Sequence, residues 1–326
     1  MNERLERPLV TFALLSFNQE AFIRDAVQAA LAQDYEPLEI LISDDCSSDN
    51  TFEIASSIVE GYDGNHQVRL IKNANNLGIA GNVNSVFALA KGEYIVLGAG
   101  DDISAISRVS RIMSEASRGD ISLLHSRVTK ITVAGDVLGD YVPPLIELNI
   151  DSRSALLGLA GYIGASGAVK RTLFEKFGPI KYMSAYEDLV FLSRAIMSGE
   201  KVMYIDESLV KYRVGSGVTS IPAISVDGLS VFIEKRVLSI LAHADVFRQR
   251  LADAEKSCIV PECSEVMDKI HGRVDVQLAR YLCHADRLAL LHFLLKYPVA
   301  TMSGIWQEVW YFADILVNHF LRALRR

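Results

Sequence analysis

Asp44-Asp45, Asp101-Asp102 and Glu187-Asp188 are adjacent acidic pairs that each stand beside the end of an apolar segment. Asp44-Asp45 follows Leu41-Ile42-Ser43 directly. Paired carboxylates there can accept hydrogen bonds from sugar hydroxyls or base N–H groups, bind a metal, or simply cap the next helix. Asp101-Asp102 closes Gly98-Ala-Gly-Asp-Asp. Small residues let a ligand approach the backbone, and neighbouring hard oxygens suit Mg²⁺ or Mn²⁺ bridged to phosphates; an ordinary Gly-Asp turn would read the same way. Glu187-Asp188 follows Ser184-Ala-Tyr and opens a helical stretch, where the macrodipole favours carboxylates whatever their use.

Strands and helices in alternation must position these groups. Residues 9–15 form a short apolar run, and Phe22, Ile23, Ala26, Val27, Ala30 and Leu31 then fall at helical spacing. A strand is expected over 38–42, a helix capped by Ser47 or Asp49 and running to about Val59, and a third strand over 67–71. Asn82–Leu89 reads as a helix stopped at Lys91-Gly92, and Glu93–Leu97 as the next strand. Such alternation implies a parallel sheet with ligands beyond the carboxyl ends of its strands. Beyond residue 100, segments 121–132 and 137–141 flank Ala134-Gly-Asp136 as a hairpin. Helices near 152–160, 171–177 and 187–198 and separate strands near 201–205 and 208–213 complete a mixed sheet. From Ser225 onward the pattern is helical, so a boundary is placed at about 220, among the turn formers of 215–222.

The chain has 326 residues and a mass of 36.0 kDa, with 50% hydrophobic and 22% charged residues. That is enough for a large α/β domain and a helical appendage, and it excludes a disordered or fibrous chain. A net charge of −7 provides no global field for nucleic acid. Few cysteines and an N-terminus without a signal-peptide apolar core lead to the expectation of a cytoplasmic, reduced protein. The nearest candidate for a membrane span, 288–321, is interrupted by Lys296, Pro298, Gln307, Glu308 and Asp314, so none is expected.

In order along the chain come Leu15-Ser-Phe-Asn18, Leu41-Ile-Ser-Asp-Asp-Cys-Ser-Ser-Asp-Asn-Thr51, Asn75-Asn-Leu-Gly-Ile-Ala-Gly-Asn82, Lys91-Gly-Glu-Tyr-Ile-Val-Leu-Gly-Ala-Gly-Asp-Asp102, Tyr186-Glu-Asp-Leu189 and Tyr212-Arg213. This series resembles the family 2 glycosyltransferases over residues 8 to about 220. The resemblance implies a GT-A fold: a Rossmann-like, mostly parallel mixed sheet flanked by helices. The nucleotide-sugar half would span about 8–103 and the acceptor half about 104–220, and 221–326 would form the C-terminal helical region.

Carried over to these positions, the resemblance places Ser16, Phe17 and Asn18 around the base, with Asp44 accepting its imide N–H and Asp45 as the supporting neighbour. Gly78 and Asn82 fall near the base and ribose. Ala99 stands where the family's metal motif has its first acidic residue, which leaves Gly100 and Asp101 to the nucleotide sugar and Asp101 with Asp102 to a Mn²⁺ or Mg²⁺ ion. Asp188 matches the catalytic base and Glu187 a group that orients it or meets the acceptor. Where many members place a metal-side His after Tyr212-Arg213, this chain has Val214-Gly-Ser; Arg213 or Lys211 is the nearest cation for a diphosphate. The implied reaction is inverting transfer from a nucleotide-diphosphate sugar to a hydroxyl of a glycan or lipid-linked oligosaccharide, in bacterial surface polysaccharide synthesis of the O-antigen or capsule type.

Two other readings compete. A sugar-phosphate nucleotidylyltransferase shares the sheet but needs a basic, Gly-rich first turn, and here that turn reads Ser-Phe-Asn-Gln-Glu20. A catalytically degenerate sugar-nucleotide-binding partner would account for Ala99 and the missing His, though not for Asp188. Elsewhere the plainer reading prevails: Cys258, Cys263, His271, Cys283 and His284 lack standard zinc spacing, Cys46 is a small filler, and His125 is a hydrogen-bonded core histidine. Gly161–Ser166 is either an acceptor-side floor or a tight turn. Residues 305–325 carry Trp306, Trp310 and Phe320 on one face, with Arg325-Arg326 at the end. Peripheral contact with the inner face of the membrane and packing on protein, including a homo-oligomer partner, are both open.

Overall fold

The computed structural model describes residues 7–143, 146, 152–158, 161–215, 229–257, 264–285, 296–297 and 299–308. Nine strands form one sheet: β1 (Val10–Ser16), β2 (Leu38–Asp44), β3 (Gln67–Lys72), β4 (Tyr94–Ala99), β5 (Ile103–Ser104), β6 (Ile121–Ile131), β7 (Val137–Tyr141), β8 (Gly167–Lys170) and β9 (Lys201–Arg213). The order is β3-β2-β1-β4-β8-β6-β9-β5, with β7 on β6. The run β3-β2-β1-β4 is parallel, whereas β8 pairs antiparallel with both β4 and β6. Ser16 lies opposite Asp44, and Leu15 opposite Ala99, so the acidic segments leave the sheet along one carboxyl edge.

Strand side chains alternate between faces, and each face has its own core. Phe12, Leu14, Ile40, Ile42 and Val96 pack with helices α1 (Ile23–Leu31), α2 (Thr51–Glu60) and α4 (Arg108–Ala116). Ala13, Leu41, Ile95 and Leu97 pack on the other side with α3 (Gly78–Leu89), α6 (Arg171–Phe177) and α7 (Glu187–Met197). Val246, on α8 (Leu229–Ser257), also joins this second core. Short α5 (Ser152–Leu157) and long α9 (Ser264–Ala285) are further helices, and residues 299–308 include another helical run.

Several expectations shift. The two strands expected over 201–213 are one strand, which absorbs the irregularity by register shifts opposite Ser126–Val128. α3 starts at Gly78 rather than Asn82, because Gly78 takes φ 71°, which glycine adopts without penalty, and its N–H is met by Asn76 Oδ1 at 2.8 Å. β5 and β8 are too short to carry a periodic signal; α4 was not expected although Val109, Ile112, Met113 and Ala116 stand at helical spacing along it; and Gly164–Ser166 forms a 3₁₀ turn within the Gly161–Ser166 segment. The boundary expected near 220 lies outside the described residues.

Candidate functional site

The loop after β1 and the acidic turn after β2 are tied to one another by side chain to backbone bonds. Asn18 Oδ1 accepts from Ser48 N at 2.8 Å, and Asn18 N donates to Ser47 Oγ at 2.9 Å. Gln19 N donates to Thr51 Oγ1 at 2.7 Å, and Asp49 Oδ1 accepts from Thr51 N at 3.0 Å, serving the first turn of α2. Asn18 and Cys46 hold positive φ of 50° and 62° within this arrangement. The lattice fixes the shape of the edge before any ligand arrives.

The two carboxylates of the first pair have different work. Asp44 closes its own turn, with Oδ2 accepting from Ser47 N at 2.9 Å and Oδ1 from Ser47 Oγ at 2.5 Å. Asp45 lines a cavity at this edge, and its Oδ1 takes Asn73 Nδ2 at 2.8 Å and Leu77 N at 2.9 Å. Asn82 lines the same wall, oriented by Ser43 Oγ at 2.6 Å and Asn73 Nδ2 at 3.1 Å.

That cavity, of about 320 Å³, brings together Ser16, Phe17, Asp45, Gly78 and Asn82 from the parallel half with Asp101, Asp102, Glu187 and Asp188. Ala99 is part of its wall. Asp44, Asn18, Gly100 and Lys211 are not among the lining residues. Gly100 has a packing reason instead, because a Cβ there would collide with Gln19 Oε1 and lie 2.9 Å from Ser16 Cβ.

Asp102 is nearly fully buried, and burial together with the charge of Asp101 pushes its carboxyl up to about 8. Oδ1 accepts from Arg213 N at 2.8 Å, while Oδ2 is buried with no hydrogen-bond partner among the described residues. A buried, unsatisfied carboxylate oxygen is costly unless a proton or a cation meets it. Among the described residues no group of three or more His, Cys, Asp or Glu gathers around one point. Two carboxylates with an open oxygen nonetheless fit Mg²⁺ or Mn²⁺, which bind through one or two carboxylates together with substrate phosphates rather than in an all-protein cage.

Arg213 does not reach into the cavity as a diphosphate cation. Its guanidinium donates to the carbonyls of Asp101 at 3.0 Å, Thr132 at 3.0 Å and Val133 at 2.7 Å, and stacks on Phe22 with 4.6 Å to the ring centroid. The cation missed in the sequence is Arg108 on α4, fully buried, donating to Leu97 O at 2.7 Å and moderating the Asp102 shift. The helix that carries it was not expected, although the spacing of Val109, Ile112, Met113 and Ala116 marks it in the sequence.

Across the cavity, Glu187 and Asp188 open α7. Burial raises Asp188 to about 6, against backbone hydrogen bonds that hold it down, and raises Glu187 to about 8 with the Asp188 charge beside it. The pair sits against the 3₁₀ turn, where a Cβ on Gly164 would collide with Glu187 Oε1 and lie 3.6 Å from Asp188 Cβ. Tyr212 lines the cavity and is pushed up to about 12 by burial and by the charges of Asp102, Asp101 and Asp188. Tyr162 and Tyr186 line the same side.

His125 differs from the hydrogen-bonded core histidine expected. It is fully buried, but neither ring nitrogen has a partner among the described residues, and burial lowers it to about 4, so the ring is neutral and stacks on Tyr162 with centroids 5.1 Å apart. Cys46 is half-buried and a free thiol. Cys258 and Cys263, and most of the 305–325 stretch, lie outside the described residues. No helix among the described residues is long and apolar enough to cross a membrane.

An uncharacterized glycosyltransferase of Methanocaldococcus jannaschii is 24% identical over 212 residues, covering 64% of this chain and 72% of that one. The Escherichia coli UDP-Glc:alpha-D-GlcNAc-diphosphoundecaprenol beta-1,3-glucosyltransferase WfaP is 33% identical over 102 residues, covering 31% of this chain and 39% of its own length. The mannosyltransferase PcManGT of Pyrobaculum calidifontis, solved with GDP-Man and Mn²⁺, superposes with a TM-score of 0.58 at 15% identity, over 98% of this chain and 88% of that one, and shares the GT-A fold. The model of glycosyl transferase family 2 matches residues 11–178, and the chain belongs to that family.

Proposed function

We propose that the chain is an inverting glycosyltransferase that moves a sugar from a nucleotide-diphosphate sugar to a hydroxyl of a glycan or lipid-linked acceptor in surface polysaccharide synthesis. The observation that carries the reading is a single cavity lined by Asp45 and Asn82 from the parallel half and by the half-buried pair Glu187-Asp188. Asp45 and Asn82 face the nucleoside, with Ser16, Phe17 and Gly78 shaping its seat. Asp101 and Asp102 would hold a divalent ion. Such an ion would supply stabilisation of the charge that develops on the leaving diphosphate.

Asp188 supplies the other half of the chemistry. An acceptor oxygen forms its bond to the anomeric carbon as the carbon–oxygen bond to the diphosphate breaks, the electron pair leaves with the nucleoside diphosphate, and the acceptor proton passes to the Asp188 carboxylate. A carboxylate raised to about 6 is still ionised at neutral pH and is a stronger base than a free aspartate. Glu187, raised to about 8, is protonated there and can donate to an acceptor oxygen. Ala99 in the cavity wall favours the competing reading, a nucleotide-sugar-binding partner without turnover. A hydrolysis screen of UDP-glucose, UDP-N-acetylglucosamine and GDP-mannose, with and without Mn²⁺, tests the two: turnover of at least one donor supports the enzyme, and binding without turnover supports the partner.

A further inference from the structure

We propose that α8 positions the proposed catalytic base, with Gln249 and Asp253 acting as positioning residues for the transfer step. The inference rests on the reading of Asp188 as that base and adds to it the device that fixes where the carboxylate stands.

The segment from Gly178 to Tyr186 leads directly into Glu187-Asp188, and its attachments come from two helices. At one end α3 pins it: Asn84 Oδ1 accepts from Ile180 N at 2.8 Å, and Asn84 Nδ2 donates to Ile180 O at 2.9 Å. Directly after that point Gln249 of α8 takes over, with Oε1 accepting from Lys181 N at 2.7 Å and Tyr182 N at 3.3 Å. At the far end, the ring of His243 meets Tyr186 edge-on with centroids 5.3 Å apart, and Tyr186 is both the residue before the acidic pair and part of the cavity wall.

Gln249 is itself held. Its Nε2 donates to Asp253 Oδ1 at 2.8 Å, and Asp253 receives Arg194 of α7 through Nε at 2.8 Å and Nη2 at 3.2 Å. Gln249 and Asp253 are each 1% exposed and Arg194 is fully buried. The bonds therefore close a circuit: from the segment to Gln249, to Asp253, to Arg194, and back along α7 to Asp188. A second tie runs beside it, where Arg250 Nε donates to Ser193 Oγ at 2.7 Å and Ser193 Oγ donates to Leu189 O at 2.6 Å.

Apolar packing alone would hold two helices together while permitting small axial slides. A dry, directional circuit does not, because each bond lost leaves a buried polar group unsatisfied. A buried ion pair is also poor value as stability alone, since apolar side chains of the same volume often serve as well. Its worth here is geometric, because errors of about 1 Å at a reacting group cost about 100-fold in rate.

The test uses the full chain and whichever of UDP-glucose, UDP-N-acetylglucosamine or GDP-mannose the wild type hydrolyses, with UDP or GDP binding measured alongside. Gln249→Met keeps volume and loses both hydrogen-bonding functions; kcat should fall about 10-fold or more, with donor KM and nucleotide Kd within about 2-fold of wild type. Gln249→Glu keeps an oxygen for the Lys181 and Tyr182 N–H groups but sets a second carboxylate against Asp253 where the amide N–H had donated, so it should lose rate as Gln249→Met does. If Gln249→Met does not fold, Gln249→Ala is judged by the same criteria. The inference is overturned if the folded variant turns over within about 2-fold of wild type, or if kcat and nucleotide affinity fall together, which would mark general loosening. Asp188→Asn in the same series separates the two claims. Retained turnover there removes the base reading, whereas loss of turnover beside a fully active Gln249→Met removes only the positioning role.

Discussion

The backbone N–H of Arg213 donates to Asp102 Oδ1 across 2.8 Å, and the Arg213 guanidinium turns away to carbonyls of residues 101, 132 and 133. The arginine thus aims Asp102 without meeting its second oxygen, which stays buried with no hydrogen-bond partner among the described residues. In the ligand-free chain a proton fills that role, because burial and Asp101 push Asp102 up to about 8.

Proton and cation then compete. Mn²⁺ affinity in the presence of UDP should rise between pH 6 and 8 by up to about tenfold per unit, since ligand oxygens must be deprotonated to bind. Asp102→Asn should abolish most of that affinity and its pH dependence; calorimetry at two pH values checks both.

Folding stability should move the opposite way with pH. The folded-state values of Asp102 and Glu187 are raised, both to about 8, so the folded chain retains protons that the unfolded chain, with carboxylates near 4, has released. That contribution is complete below about pH 4 and is lost as pH rises towards 8. The melting temperature of the metal-free chain should be lower at pH 8 than at pH 6, and Mn²⁺ with UDP should restore it. A melting temperature that climbs over this window would contradict the assignment.

The first acidic pair should divide into a binding member and a folding member. Asp45→Asn should raise the UDP Kd about 10-fold, with a small change in melting temperature, because the carboxylate that faces the cavity loses its charge. Asp44→Asn should cost about 1–2 kcal/mol of stability through the Ser47 turn and leave UDP affinity within about 3-fold. Reversed phenotypes would return the base-binding role to Asp44.

Gly164→Ala tests the fit between the 3₁₀ turn and the acidic pair. The added methyl would meet Glu187 Oε1 and lie close to Asp188 Cβ. Turnover should drop about 10- to 100-fold while UDP affinity holds, measured by steady-state hydrolysis and calorimetry.

Much of the parallel half was legible because buried strands there are continuous apolar runs and each acidic segment begins where a run stops. Val10–Ser16, Leu38–Asp44 and Tyr94–Ala99 fall within two residues of the expected strands. Legibility failed where tertiary contacts override local pattern. β8 is four residues long and exists through pairing with β4 and β6, whereas α4 was legible in the spacing of Val109, Ile112, Met113 and Ala116 and was passed over. At the site, the residue types were visible but not their division of labour. Which oxygen of Asp44-Asp45 faces the cavity depends on Ser47, Asn73 and Leu77, and the turning away of Arg213 depends on carbonyls about eighty residues distant in sequence.

The central claim is that Asp188 takes the proton of the incoming hydroxyl, and the pH–rate profile of wild type beside Asp188→Asn tests it most directly. Wild-type kcat should rise with pH through about 6, the value to which burial lifts this carboxyl. The variant should lose about 100-fold or more in kcat, lose that limb of the profile, and bind UDP or GDP within about 2-fold of wild type. Near-normal turnover by Asp188→Asn, or an unchanged acid limb in its profile, would contradict the account.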